Sequence, residues 1–211
     1  VNNTIYKAPD WLYRPANVMT TMLGDIQKEL TTLSFMIIKD KFNSPSEFHI
    51  IMNLDLIKEV CPTLMIELKR LGISDIVAFI ALITVRSGSK FPIHIDYPDQ
   101  RRQSFGLNIP VLNCKDSYTV WYDAEPMPHK TIDQHIITSE LVSASIPCDE
   151  ETAIEIDRCD ANVSHWINNN VPHKPICLHD NFRINASVRF TSDIYELIAS
   201  GYFDKHLVKH E

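Results

Sequence analysis

Val18, Met22, Ile26 and Leu30 recur at intervals of four, with Met19 and Leu23 beside them, which is the apolar stripe of an amphipathic helix. The stripe predicts a first helix over Asn17–Leu33. A second stripe, Ile57, Cys61, Leu64, Leu68 and Leu71, stops at Gly72, a residue suited to a left-handed cap, and Pro62 inside it marks either a kink or the first turn of a new helix. After Gly72 the pattern changes to short runs rich in Val, Ile, Thr, Tyr and Phe. These predict strands over Ile76–Val85, Phe91–Asp96, Phe105–Val111, Ser117–Tyr122, Thr152–Ile156, Pro175–Leu178 and Arg183–Phe190. Ser192 can then cap a last helix, Asp193–Ser200, ended by Gly201. Two helices, many short strands and a closing helix predict a mainly β chain, a β-sandwich or jelly roll backed by helices. The segment Asp123–Gln134, with two prolines and several charges, reads as a long loop over one rim and as the natural lid over a substrate.

A length of 211 residues suits one domain over 1–211, with its core at about 76–191. Hydrophobic residues at 45% and charged residues at 22% exclude a disordered or low-complexity chain. The net charge of −7 argues against a protein built to hold nucleic-acid phosphates. Glycines at 24, 72, 88, 106 and 201 are too far apart for a GxGxxG turn or a P-loop. The five cysteines, at 61, 114, 148, 159 and 177, contain no CxxC pair, so neither a disulfide framework nor a zinc ribbon is expected, and a cytoplasmic, reducing location is. The longest apolar stretch, Ile76–Val85, is about half of what a membrane helix needs.

The chemistry concentrates in Phe91–Asp96. On a strand, residues two apart face the same way, so His94 and Asp96 project together while Ile93 and Ile95 go to the other side. An imidazole and a carboxylate converging on one point make two thirds of a facial metal triad. The third ligand must come from later in the chain, from among His129, His135, His165, His173, His179, His206 and His210. His173 stands just before a strand, and Arg183 follows ten residues later on the next strand, a spacing that brings a ligand and a guanidinium into one cavity. His165 and His179 are the main competitors, each expected in a solvated or capping role. Along Arg183–Phe190 every odd position is polar (Arg183, Asn185, Ser187, Arg189) and every even one apolar, so the strand has one wet and one dry face. Either both arginines are solvated on an outer strand, or Arg183 lies inside and its planar fork binds a carboxylate.

His94 and Asp96, a downstream Pro-His at 172–173, and Arg183 behind it, within a strand-rich second half, together resemble the iron(II)- and 2-oxoglutarate-dependent dioxygenases, aspartyl/asparaginyl and amino-acid hydroxylases among them. Leu107–Val111 and Ser117–Tyr122 look like core strands of that family's double-stranded β-helix, a cupin-like jelly roll. The resemblance spans roughly Ile76–Thr191. It implies that His94, Asp96 and His173 bind Fe(II) and that Arg183 pairs with the distal carboxylate of the cosubstrate 2-oxoglutarate. Many members place Ser two residues after this Arg, where this chain has Asn185; the amide of Asn185 or the hydroxyl of Ser187 would take that contact. In an alternative register Arg189 is the anchor, with Ser187 two residues before it. Some relatives use another Arg soon after the first His, a place for Arg101 or Arg102. Asn108, Thr119 and Trp121 are cavity residues by strand alternation, and Tyr97 would shape the mouth.

The retained Asp96 implies hydroxylation rather than halogenation, with release of succinate and CO2. The expected partners are O2 and an amino acid, peptide side chain or other small molecule, and no membrane. Nucleic acid is not the expected partner, although Arg101, Arg102, Lys205, His206, Lys209 and His210 would form the patch for a nucleobase substrate. Two other readings keep the fold: a cupin-like metal-binding module without oxidase activity, and a metal-dependent isomerase or hydrolase.

Overall fold

The computed structural model describes residues 11–16, 18, 20–38, 48–52, 54–88, 91–96, 105–127, 145–178, 180–191 and 194–205. In chain order the elements are β1 (Tyr13–Pro15), α1 (Thr20–Ile38), β2 (Phe48–Met52), α2 (Leu54–Val60), α3 (Pro62–Arg70), β3 (Val77–Val85), β4 (His94–Asp96) and β5 (Phe105–Leu112). They continue with β6 (Ser117–Asp123), β7 (Ser145–Pro147), β8 (Ile154–Asp160), β9 (His165–Asn168), β10 (His173–Cys177), β11 (Arg183–Phe190), α4 (Ile194–Ala199) and α5 (Tyr202–Lys205).

The strands form two antiparallel sheets, ordered β1-β9-β5-β11-β3-β2 and β7-β4-β10-β6-β8. Four pairings are nested: β3 with β11, β4 with β10, β5 with β9 and β6 with β8. Eight strands paired outermost to innermost are a long hairpin rolled into two facing sheets, which is a jelly roll. The expected fold class is therefore observed. Strands β1, β2, β7 and β9 were not predicted. The first three are short edge additions, and β9 has four residues, too few for alternation to register.

The first helix runs over Thr20–Ile38, displaced from the expected Asn17–Leu33. Its buried face continues from Ile26, Leu30 and Leu33 to the half-buried Ile37, and Ser34 is accommodated by bonding back to the Leu30 carbonyl at 2.6 Å. Pro62 opens a new helix rather than kinking one. Helix α3 lacks a side-chain cap of its own; the Glu29 carboxylate of α1 accepts the free N–H groups of Thr63 and Leu64 at 3.0–3.3 Å. At its other end Gly72, at φ +71°, closes a Schellman turn in which Ile73 N–H reaches Leu68 O and Gly72 N–H reaches Lys69 O. The closing helix covers Ile194–Ala199, with Ser192 and Asp193 outside the described residues.

Helices α1, α3, α4 and α5 cover the outer face of the six-stranded sheet and form the main core with it. Ile184, Ala186, Val188 and Phe190 of β11 point into that core. The wet face expected along β11 does not meet solvent. Arg183, Asn185, Ser187 and Arg189 are all buried, pointing into the space between the two sheets. No helix among the described residues is long and apolar enough to cross a membrane. All five cysteines are buried thiols outside any disulfide.

Candidate metal centre

His94 and His173 face each other across adjacent strands, in direct register, and their rings lie 4.5 Å apart. Asp96 follows on the same face of β4. Nitrogens of the two imidazoles and an oxygen of the carboxylate all lie within 4.8 Å of one another, and all three residues are buried. His94 Nε2 is 3.3 Å from Asp96 Oδ1, and His173 Nε2 is 4.0 Å from Oδ2.

The tautomers follow from the backbone. His94 Nδ1 is 3.0 Å from Pro92 O and His173 Nδ1 is 2.9 Å from Val171 O. A carbonyl only accepts, so each Nδ1 carries a proton, and in the neutral ring Nε2 turns a lone pair toward Asp96. Burial, and then the neighbouring His94, push His173 down to about 3, so it stays neutral. Burial alone would push the Asp96 carboxyl up, but the Arg189 guanidinium outweighs it and holds the group well below the usual carboxylate range. Arg189 Nη2 reaches Asp96 Oδ2 at 2.9 Å from the opposite sheet, and Ser145 donates its hydroxyl to Oδ1 at 3.0 Å. Two neutral imidazole lone pairs and an anion thus converge, a donor set that fits a divalent transition metal.

The cavity holding this group has about 450 Å³ of empty space, its mouth included, within the range of small-molecule sites. Arg183, Asn185, Asn108 and Thr119 line it. Arg183 is 2% exposed, with Nη1 donating to Tyr118 O at 3.3 Å. Asn185 Oδ1 accepts from the Cys114 thiol at 3.1 Å. Ser187 is fully buried opposite Asn108 and does not line the cavity. Trp121, expected in the cavity, instead stacks on Tyr13 and donates its indole N–H to Asn168 O at 3.1 Å. Its bulk, on the strand beside His173, fills the space between the sheets toward β1.

His165 is neither solvated nor a cap. It is buried on β9, with Nδ1 2.7 Å from Val163 O and Nε2 3.0 Å from Cys159 Sγ, and burial pushes it down to about 4. The solvated alternative for Arg183 and Arg189 fails for the same reason: the interior, not water, receives them. His129, His135, His179, His206, His210, Lys209, Tyr97, Arg101 and Arg102 lie outside the described residues, as does the expected lid beyond Met127. Within the described part, Pro126 bridges to Cys148.

Asn169 was missed. It is 0% exposed, its carbonyl accepts the Asp96 N–H at 3.1 Å, and its side chain lines the cavity. In sequence it sits in a run of three asparagines that reads as a turn, and the pairing of β10 with β4, continued back along the chain from His173, brings it beside Asp96.

The chain matches no family model and no curated protein. Among solved structures it is similar to a prolyl-4-hydroxylase from Pseudomonas putida, at 9% identity over 85% of this chain and 91% of that one, with a TM-score of 0.44. It is also similar to HygX from Streptomyces hygroscopicus with nickel and 2-oxoglutarate bound, at 9% identity over 85% and 81%, with a TM-score of 0.46. A third is ycfD from E. coli, at 17% identity over 72% and 37%, with a TM-score of 0.36.

Proposed function

We propose that the chain is an iron(II)- and 2-oxoglutarate-dependent dioxygenase that hydroxylates an amino acid, a peptide side chain or another small molecule. One observation carries the reading: a two-histidine, one-carboxylate group with a proton fixed on each Nδ1 shares a buried cavity with a second guanidinium, that of Arg183. His94 and His173 would hold the metal through Nε2 and Asp96 through one oxygen, leaving positions open for cosubstrate and oxygen. Bound there, iron with 2-oxoglutarate supplies oxidation of an unactivated C–H bond, with succinate and CO2 released.

The chain's own residues have separable tasks. Arg189 and Ser145 keep Asp96 anionic and oriented. Arg189 is thereby committed to the ligand carboxylate, which favours Arg183 as the anchor for the distal carboxylate of 2-oxoglutarate. Thr119 and Asn185 flank that anchor in the cavity. The apolar side chains of Ile83 and Ile167 form its dry walls.

The test is oxygen-dependent conversion of 2-oxoglutarate to succinate by iron-reconstituted protein without added substrate, beside His173→Ala and Arg183→Ala. Succinate should vanish in the first variant and fall about a hundredfold or more in the second, the scale for losing a buried bidentate partner of a carboxylate. No succinate, together with no metal-dependent binding of 2-oxoglutarate, would replace this reading by a metal-binding module. Metal binding and turnover indifferent to Arg183 would point instead to an isomerase or hydrolase.

A further inference from the structure

We infer that Asn169 determines specificity by binding an amide group of the substrate, an inference that rests on the oxygenase reading of the same cavity. Its main chain is fixed beside the ligand carboxylate by the bond from Asp96 N–H to Asn169 O at 3.1 Å. Its side chain, 0% exposed, faces the cavity that His94, Asp96 and His173 line. Among the described residues neither its Oδ1 nor its Nδ2 has a hydrogen-bond partner. Because both atoms are unpaired, exchanging the oxygen and nitrogen assignments changes nothing. Asn108 Oδ1, in the same cavity and also buried, is unpaired as well.

Several of the other polar groups lining the cavity are engaged. Asn185 Oδ1 takes the Cys114 thiol, Asp96 takes Arg189 and Ser145, and the ligand histidines give Nδ1–H to carbonyls. A carboxamide buried with both halves unmet lowers stability, so it belongs to a site that a ligand completes. The ligand's chemistry follows from what the two asparagines leave unmet: one donor and one acceptor side by side on Asn169, and a further acceptor on Asn108. A carboxylate offers acceptors only and would meet two carboxamide oxygens, whereas a hydrocarbon would leave all three atoms unpaired. A primary amide presents an acceptor and a donor on one edge and pairs with both halves of Asn169, whereas a trans peptide bond, with N–H and C=O on opposite sides, meets only one. Such a group is supplied by a side-chain carboxamide, which would be held next to the metal ligands.

The experiment loads the protein with zinc(II) and 2-oxoglutarate, a redox-inert state, and titrates it by ligand-observed NMR with propanamide, N-methylacetamide and propanoate. Propanamide should bind about tenfold or more tighter than propanoate, and tighter than N-methylacetamide, whose N–H and C=O point apart and cannot both reach Asn169. Asn169→Leu should abolish the preference and raise the midpoint of thermal unfolding by about 2–4 °C, since it removes an unmet buried amide. Asn169→Ala adds no bulk and should lose the preference equally if Leu does not fit. Equal binding of acid and amides, or an amide preference that survives in Asn169→Ala, overturns the inference. So does a midpoint lowered by Asn169→Leu with the preference intact in Asn169→Ala, which marks a structural asparagine. If 2-oxoglutarate does not bind, the oxygenase reading falls, and the same titration with zinc alone decides the amide site.

Discussion

Removing Arg189 tests the electrostatic frame of the site most directly. Its guanidinium and the Asp96 carboxylate meet at 2.9 Å, with both side chains under a tenth exposed, so solvent screens the pair little. Arg189→Met keeps much of the stem and deletes the charge. Deleting one partner of a buried pair typically costs about 3–5 kcal/mol. Protonation of the orphaned carboxylate sets a ceiling: from an unfolded value of about 3.9, it requires about 4 kcal/mol at pH 7. The expected loss without metal at pH 7 is therefore about 3–4 kcal/mol. The pH dependence has a definite sign. In the native protein the folded value of Asp96 is depressed, so its contribution is present above about pH 3.9 and is lost as pH falls through the folded value. In the variant the folded value lies above the unfolded one, so the deficit should shrink as pH falls from 7 toward 5. A divalent cation supplies the missing positive charge, so manganese(II) should shrink it too. Urea unfolding at pH 7 and pH 5, in EDTA and in manganese(II), measures all four cases. A deficit below about 1 kcal/mol, or one indifferent to both pH and metal, would show that Asp96 does not depend on Arg189 and refute the account.

Two further perturbations probe the scaffold. His165 is held neutral by burial, down to about 4, against an unfolded value of about 6.5, so its contribution is present above pH 6.5 and is lost as pH falls toward 4. Relative to His165→Gln, the native protein should lose about 3 kcal/mol more between pH 6.5 and 4 in urea titrations, and parallel curves would contradict this. Glu29→Ala should cost about 1 kcal/mol by removing the carboxylate that caps α3, measurable as a lower urea midpoint with an unchanged slope; a wild-type midpoint would mean that water replaces the cap fully.

The sequence made legible what depends on short-range alternation. His94 and Asp96 share a face because they are two apart on a strand, and β11 keeps its boundaries because eight alternating residues resist misreading. Alternation tells polar from apolar, but it does not tell water from a polar interior. The same pattern left two solvated arginines and an inward Arg183 as alternatives on paper, and the fold sends both Arg183 and Arg189 between the sheets. Contacts that depend on rolling the hairpin were illegible: Arg189 meets Asp96 across 93 residues of chain, and Asn169 reaches Asp96 only through the pairing of β10 with β4. The elements missed were those whose partners, not their own residues, make them strands. Pro15 in β1 opposite His165, and Ser145 in β7 opposite Asp96, carry almost no local signal.

Three histidines in this interior share one local device, and comparing them separates structure from chemistry. His94, His165 and His173 each place Nδ1 within 3.0 Å of the carbonyl two residues earlier, which fixes the proton and turns Nε2 away as an acceptor. For His165 the group opposite is the Cys159 thiol, which burial pushes up to about 12, so it keeps its proton and donates it to Nε2. That acceptor is satisfied within the protein, and His165 is structural. For His94 and His173 the group opposite is the Asp96 carboxylate, which Arg189 keeps deprotonated and which has nothing to donate. Two lone pairs and an anion then face one another with no proton to share. A bound cation resolves that arrangement, whereas a thiol in place of Asp96 would have made it ordinary core. The metal assignment therefore depends less on the spacing of the two ligands on β4 than on Arg189, the distant residue that holds the carboxylate charged.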